Sequence, residues 1–361
     1  MGKSAVKGLF YICLIAATFV LATITIMAAF SGNVAPVDSV IMPLLGLAVP
    51  VLLIANLITA LCWALARKRW ALVPLVAFFC NWGYLTSVFQ PPLPKDKTPA
   101  GKYLKIATYN IHNFGGEITG YSCKEIARYM QQEGVDVLCF QEFGDNSDFP
   151  TDSIRRVLSH WSHALIPSED SVKGVLPIAV FSRYPLANHR FITYQHSSNC
   201  SMMCDVVMGT DTIRLINNHL QTTSVSQKRR KWERELATDD TRREVQAAKD
   251  AAGTLHENFM KRATQTYVIS HYAKTSPYPV LLCGDFNSIP SSYTYHHLRK
   301  TLKDGFRTAG NGYMYTYRYA KRMLRIDYIF HSPSLKGIEY YSPDLDLCSD
   351  HNPVIMEVEI Q

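Results

Sequence analysis

The first hundred residues of this 361-residue chain almost lack acid. Asp38 and Asp96 are the acidic side chains there, against seven basic ones: Lys3, Lys7, Arg67, Lys68, Arg69, Lys95 and Lys97. The remaining 261 residues carry 30 basic and 28 acidic side chains, so +5 of the formal +7 belongs to the first stretch and +2 to the second. The basic balance therefore does not describe a basic soluble domain. The second stretch lacks the strong positive surface usual in a nucleic-acid binder. Internal repeats and low-complexity tracts are also missing. The six cysteines of the second stretch include no two ligand pairs spaced for zinc, which argues against a structural zinc site. Cys139 and Cys283 sit in apolar runs and read as core residues. Cys200 and Cys204, in "NCSMMC", form a candidate disulfide in an oxidising compartment.

What the first stretch does have is length without charge. Residues 9–30, 40–66 and 70–89 are long uncharged runs, and a helix of roughly 20 apolar residues crosses a bilayer core. Three transmembrane helices are expected, forming a membrane anchor over residues 1–90. The first run exceeds the roughly 7–15 apolar residues of a signal peptide and has no clear cleavage site. Lys3 and Lys7 precede the first run and Arg67-Lys68-Arg69 separates the second from the third, which puts both clusters on the cytoplasmic side. Three crossings from a cytoplasmic N-terminus leave the rest of the chain outside the cytoplasm. The Pro-rich stretch "QPPLPKDKTPAGK" (90–102) reads as a semi-rigid linker.

From residue 103 the pattern changes. "LKIATYNI" (104–111), "VDVLCF" (135–140), "LPIAVFS" (176–182), "TIRLINNHL" (212–220), "PVLLCGDF" (279–286), "RIDYIF" (325–330) and "PVIMEVEI" (353–360) read as strands. Several are apolar on both faces, as in a sheet covered on both sides. Ser122 with Glu125 has the spacing of a capping box, ahead of an apolar stripe of Ile126, Tyr129 and Met130. A long charged segment, about 227–272, reads as a solvated helix beginning at "QKRRKWERE". Residues 103–361 make one α/β domain.

Polar residues recur where these strands end: Asn110, Glu142, Asn218, His219, Asp285, Asn287, Asp327, Asp350 and His351. Each alone is ordinary turn chemistry. Together they suit phosphoester hydrolysis. Carboxylate and amide oxygens hold a hard divalent cation that manages phosphate charge; Asn110, Glu142 and Asp350 supply them. Asp285 suits a base or acceptor for the attacking water. Asn218, Asn287, His219 and His351 can hold phosphoryl oxygens, and Asp327 can orient His351 and stabilise its cation.

The ordered set "TYNIH", "FQE", "NNHL", "GDFNSIP", "RIDYIF" and "SDHNP" resembles the endonuclease/exonuclease/phosphatase superfamily over the whole of residues 103–361. The resemblance implies a four-layer α/β sandwich, with two mixed β-sheets face to face and helices outside. It implies metal-binding roles for Asn110 and Glu142, with Asp350 a second acid near the metal. It makes Asp285 and Asn287 the pair that orients water and phosphate. Asp327 and His351 match the pair beside the scissile phosphate, and His219 a phosphate-contacting histidine of the deoxyribonuclease and sphingomyelinase branches. The AP endonuclease branch carries tyrosine there, which argues against abasic-site repair.

The expected protein is a membrane-anchored phosphodiesterase or phosphatase using one or two Mg2+ or Mn2+ ions. It acts outside the cytoplasm on lipid headgroups or small phosphoesters. An extracytoplasmic nuclease and an inactive phosphate-binding scaffold are the alternatives. Nucleic acid is the less favoured substrate, and the sequence does not fix the oligomeric state.

Overall fold

The computed structural model describes residues 3–92, 101–168, 174–223 and 241–360. Most of the expected linker and the "QKRRKWERE" start lie outside them. The chain divides into two compact units. One is Met1–Ser87 with Ile289–His297; the other is Val88–Ser288 with Leu298–Gln361.

The first unit is built on helices α1 (Lys3–Ala29), α2 (Ile41–Leu65), α3 (Leu72–Cys80) and α4 (Trp82–Val88). Two of these, α1 and α2, are long and apolar enough to cross a membrane by themselves. The third expected span is broken: α3 and α4 meet at 63°, so the pair counts as a crossing only if taken as one bent span. Asn81 sits at the break. Its Nδ2 donates to the Thr25 and Ala77 carbonyls, both at 3.1 Å, and a side chain bonded into the backbone ladder is a recognised cause of kinks. Asn56 Nδ2 donates to Thr25 Oγ1 at 2.7 Å and Trp63 Nε1 to Thr18 Oγ1 at 2.9 Å, so polar contacts join the helices. Phe10, Ile12, Val20, Val51 and Ile58 leave the outward faces apolar.

Ile289–His297 completes this unit from far along the chain. Ser31 Oγ donates to the Ser291 carbonyl at 2.9 Å, Ser291 Oγ to the Gly46 carbonyl at 2.7 Å, and Tyr295 OH to Ser87 Oγ at 2.8 Å. A Cβ on Gly32 would lie 2.4 Å from the His296 ring.

The second unit holds strands β1 (Phe89–Gln90), β2 (Lys102–Asn110), β3 (Val137–Gln141), β4 (His163–Leu165), β5 (Ile178–Ser182), β6 (Leu186–Thr193) and β7 (Cys200–Met208). It continues with β8 (Asp211–His219), β9 (Val280–Asp285), β10 (Lys303–Asp304), β11 (Gly312–Tyr313), β12 (Asp327–His331), β13 (Leu335–Tyr341) and β14 (Val354–Ile360). They form two six-stranded mixed sheets, in the orders β10-β12-β9-β8-β7-β6 and β13-β14-β2-β3-β5-β4, and a two-stranded ribbon of β1 and β11. The pairs β2/β3 and β8/β9 are parallel and the rest antiparallel.

The inner faces meet in one core, including Ile106, Cys139, Val180, Cys204, Leu215 and Cys283. Helices α5 (Tyr121–Gln132) and α6 (Thr151–Val157) cover the outer face of the second sheet, where Ile126, Met130 and Ile154 pack with Tyr109, Phe140 and Phe181. Helix α7 (Thr241–Lys274) covers the first sheet, and its Gln265 Oε1 accepts from Gln221 N at 2.7 Å. This is the expected four-layer sandwich.

Two local expectations are corrected. Helix α5 is preceded by Gly120 and carries no side-chain cap from its own first residue; the Ser122 N–H instead donates to the Glu117 carboxylate. Cys200 and Cys204 lie on one face of β7, both buried and free. Four residues of strand put their Cα atoms about 13 Å apart, beyond the reach of a disulfide.

Candidate functional site

Parallel pairing carries the expected residues to one rim. Register sets Asn110 beside Gln141, His219 beside Asp285, and Asp285 opposite Asp327. Asn110 joins the two sheets: its Nδ2 lies 3.0 Å from Glu142 Oε1 and 3.2 Å from Asp285 Oδ2. Asp285 Oδ2 also lies 3.7 Å from His219 Nε2 and 3.7 Å from His351 Nε2. His219 Nε2 stands 3.8 Å from Glu142 Oε1. His351 Nδ1 is 2.9 Å from Asp327 Oδ2. Asp350 adjoins the group at His351, with Oδ1 3.9 Å from His351 Nε2.

Asn287 Nδ2 donates to the Leu220 carbonyl at 3.0 Å, and its backbone N–H donates to Asp285 Oδ1 at 2.8 Å. Glu142 and Asn287 both hold φ of +48°. That left-handed conformation is costly for non-glycine residues and collects at functional sites. Asn218 is not brought into the group. Its Nδ2 donates to the Ile216 and Cys283 carbonyls, and its Oδ1 accepts from Ser201 Oγ at 2.8 Å. Successive strand residues face opposite ways, so His219 turns to the rim and Asn218 away.

Several contributors lay outside the expected set. Ser349 Oγ donates to the Asn110 carbonyl at 2.5 Å and accepts the His351 N–H at 3.0 Å, tying the first and last motifs together. Thr316 Oγ1 accepts from the Ile326 and Asp327 N–H groups, both at 3.0 Å. Arg262 of α7, 2% exposed, donates from Nη1 to the Gln221 carbonyl at 2.6 Å and steadies the loop after His219. His112 Nδ1 lies 3.3 Å from Glu142 Oε2, with "TYNIH" as its signal. The serine, threonine and arginine act through register, which the sequence does not display.

Burial pushes the Asp285 carboxyl above its usual range; His351 draws it down, and the Asp327 charge pushes it up. Burial works against the His351 cation, but Asp327 and Asp285 outweigh it and push the imidazole up to about 10. His351 therefore carries a proton at neutral pH, held between two carboxylates.

The rim fits a hard cation. Glu142 and Asp285 offer carboxylate oxygens, and the Asn110 amide can present its oxygen by turning over, a distinction set by bonding rather than by shape. Among the described residues, neither ring nitrogen of the fully buried His219 has a hydrogen-bond partner, and such orphaned buried groups call for a ligand. Asp285, Asp327 and His351 also bring donor atoms within 4.8 Å of one another. A cation there competes with the His351 proton, so that cluster is better suited to proton handling.

Comparison with known proteins agrees with this architecture. The model of the Endonuclease/Exonuclease/phosphatase family matches residues 107–351, and that of a domain of unknown function (DUF8431) matches residues 9–88. No curated protein matches the sequence. Among solved structures, an endonuclease/exonuclease/phosphatase from Beutenbergia cavernae is similar at 17% identity and a TM-score of 0.52, covering 72% of each chain. Truncated TDP2 from Caenorhabditis elegans is similar at 16% identity and 0.51, covering 71% of this chain and 98% of that one. An endonuclease/exonuclease/phosphatase from Bacteroides vulgatus gives 16% and 0.51, over 72% and 100%. At such identity these likenesses speak to the fold. With the family model spanning well over half of its length, the chain belongs to the endonuclease/exonuclease/phosphatase family, whose members are generally metal-dependent phosphoester hydrolases.

Proposed function

We propose that the protein is a membrane-anchored phosphodiesterase or phosphatase, dependent on Mg2+ or Mn2+, acting outside the cytoplasm on lipid headgroups or small phosphoesters. The observation that carries this reading is the Asn110 amide, which bridges Glu142 and Asp285 while two imidazoles face the same Asp285 oxygen at 3.7 Å. Glu142, Asn110 and Asp350 would hold the divalent cation, which would supply Lewis acidity to the phosphoryl oxygens. Asp285, raised by burial, is a stronger base than an exposed carboxylate and takes a proton from the attacking water. The water oxygen bonds to phosphorus as the ester bond breaks. His351, cationic beside Asp327, gives the leaving oxygen its proton. His219 and Asn287 hold the phosphoryl oxygens.

The lipid and small-ester reading is favoured over the nuclease because the 261 residues after the anchor carry a net +2, whereas phosphate-backbone binding needs many cations. The test is parallel hydrolysis of bis(p-nitrophenyl) phosphate, sphingomyelin vesicles and plasmid DNA, each with magnesium and with chelator. Metal-dependent cleavage of the small diester is expected, with the vesicle favoured over DNA. Cleavage of DNA alone retires the lipid branch, and no metal-dependent cleavage retires the hydrolase.

A further inference from the structure

Between the GDFN strand and Asp327 the chain runs "GYMYTYRYAKR" (312–322), with tyrosine at every second position from 313 to 319. The alternation is that of an extended segment with two faces. Met314 and Thr316 are buried, Tyr315 and Tyr317 are half-buried, and Tyr313 and Tyr319 are 53% and 65% exposed. The Tyr313 and Tyr315 ring centres are 6.2 Å apart, and those of Tyr317 and Tyr319 are 5.8 Å apart.

Both ends of the row are fixed. At one end Met314 N donates to the Val88 carbonyl at 2.8 Å, and Tyr313 pairs with Phe89, itself 53% exposed, just after α4. At the other end Arg318 N donates to the Asp350 carbonyl at 2.8 Å and Asn352 N to the Thr316 carbonyl at 2.7 Å. The Tyr317 ring stands edge-on to His351 at 5.2 Å. The row of rings, exposed at Tyr313 and Tyr319 and half-buried between, thus runs from the backbone beside Val88 to the histidine at the reacting centre.

The charges beside the row are largely neutralised. Arg318 pairs with Asp344 and Asp346, and Arg322 lies 3.4 Å from Asp344. A platform for single-stranded nucleic acid combines stacked rings with a cationic groove, and that groove is missing among the described residues. Rings with an apolar body and a hydroxyl tip, set where a chain leaves an apolar helix, suit a lipid–water boundary.

We infer that the Tyr313–Tyr319 row is an interfacial surface that rests on a phospholipid layer and presents a lipid phosphate to His351. It deepens the lipid branch of the proposed function and rests on that reading. The test uses the full chain in vesicles of phosphatidylcholine, phosphatidylglycerol and sphingomyelin, in two measurements. In the first, the double variant Tyr313→Ala, Tyr319→Ala is assayed on vesicles and on bis(p-nitrophenyl) phosphate. The ratio of vesicle to soluble turnover should fall at least about tenfold; an unchanged ratio overturns the inference. In the second, Tyr319→p-benzoylphenylalanine is irradiated with the vesicles and, separately, with single-stranded DNA. A lipid adduct supports the surface even if the unaltered protein hydrolyses none of these lipids, which is how the two readings fail separately. A DNA adduct without a lipid adduct, or no adduct at all, overturns it.

Discussion

His351 titrates near 6.5 in an unfolded chain and at about 10 in the folded one. The folded state therefore holds the proton more tightly. The stability this contributes is complete below about pH 6.5 and drains away as pH rises through 10. In chelator, Asp327→Asn should lower the denaturation midpoint strongly at pH 6 and little at pH 10; an equal loss at both would mean that the ion pair is not the cause. Asp285→Asn removes the base while keeping an acceptor for the Asn287 N–H. Turnover on the small diester should fall by about two to four orders of magnitude, with circular dichroism unchanged, and unaltered turnover would remove Asp285 from the proposed mechanism. Residue types were legible at this scale because metal and phosphate chemistry calls for few of them. Orientation was not. Asn217 and Asn218 are neighbours of the same type, yet Asn217 Nδ2 donates to Phe140 and Ala179 of the opposite sheet while Asn218 bonds within its own. One step along a strand reverses the face, and sequence alone does not say where the count begins.

Gly284 shows how an element places the site. It holds φ of +132°, and a Cβ there would fall 1.9 Å from the Asn218 carbonyl oxygen of the neighbouring strand. Only the bare backbone lets β9 lie against β8 and bring Asp285 level with His219. Gly284→Ala should cost well over ~1 kcal/mol and lower the melting temperature along with activity; a fully stable variant would refute the close approach. The seven strands read from the sequence are all present because their β-branched and aromatic runs are compact. Strands β6, β7 and β13, and the short β1, β4, β10 and β11, were not among them. β7 is "CSMMCDVVM", and its cysteines drew attention to pairing rather than to the strand they occupy. The third apolar run was read as one helix because composition registers length, whereas the bend depends on where the Asn81 amide finds its acceptors.

For the whole molecule, the proposed orientation, argued from the charge flanking the apolar runs, has the C-terminus outside. A reporter fused after Gln361 should be active in the extracytoplasmic space, and a cytoplasmic signal would overturn the proposed orientation. The helical unit is assembled from two distant stretches of chain, which sets an order of events during synthesis. About 200 residues separate Val88 from Ile289, so at ~5–20 residues per second the ribosome delivers the closing piece roughly 10–40 s after the helices emerge. Through that interval the Ser31 hydroxyl and the Gly46 carbonyl await the partners they find in Ser291. The newborn helical unit thus lacks those bonds until most of the second unit has been made, and a chain halted before Ile289 leaves it incomplete.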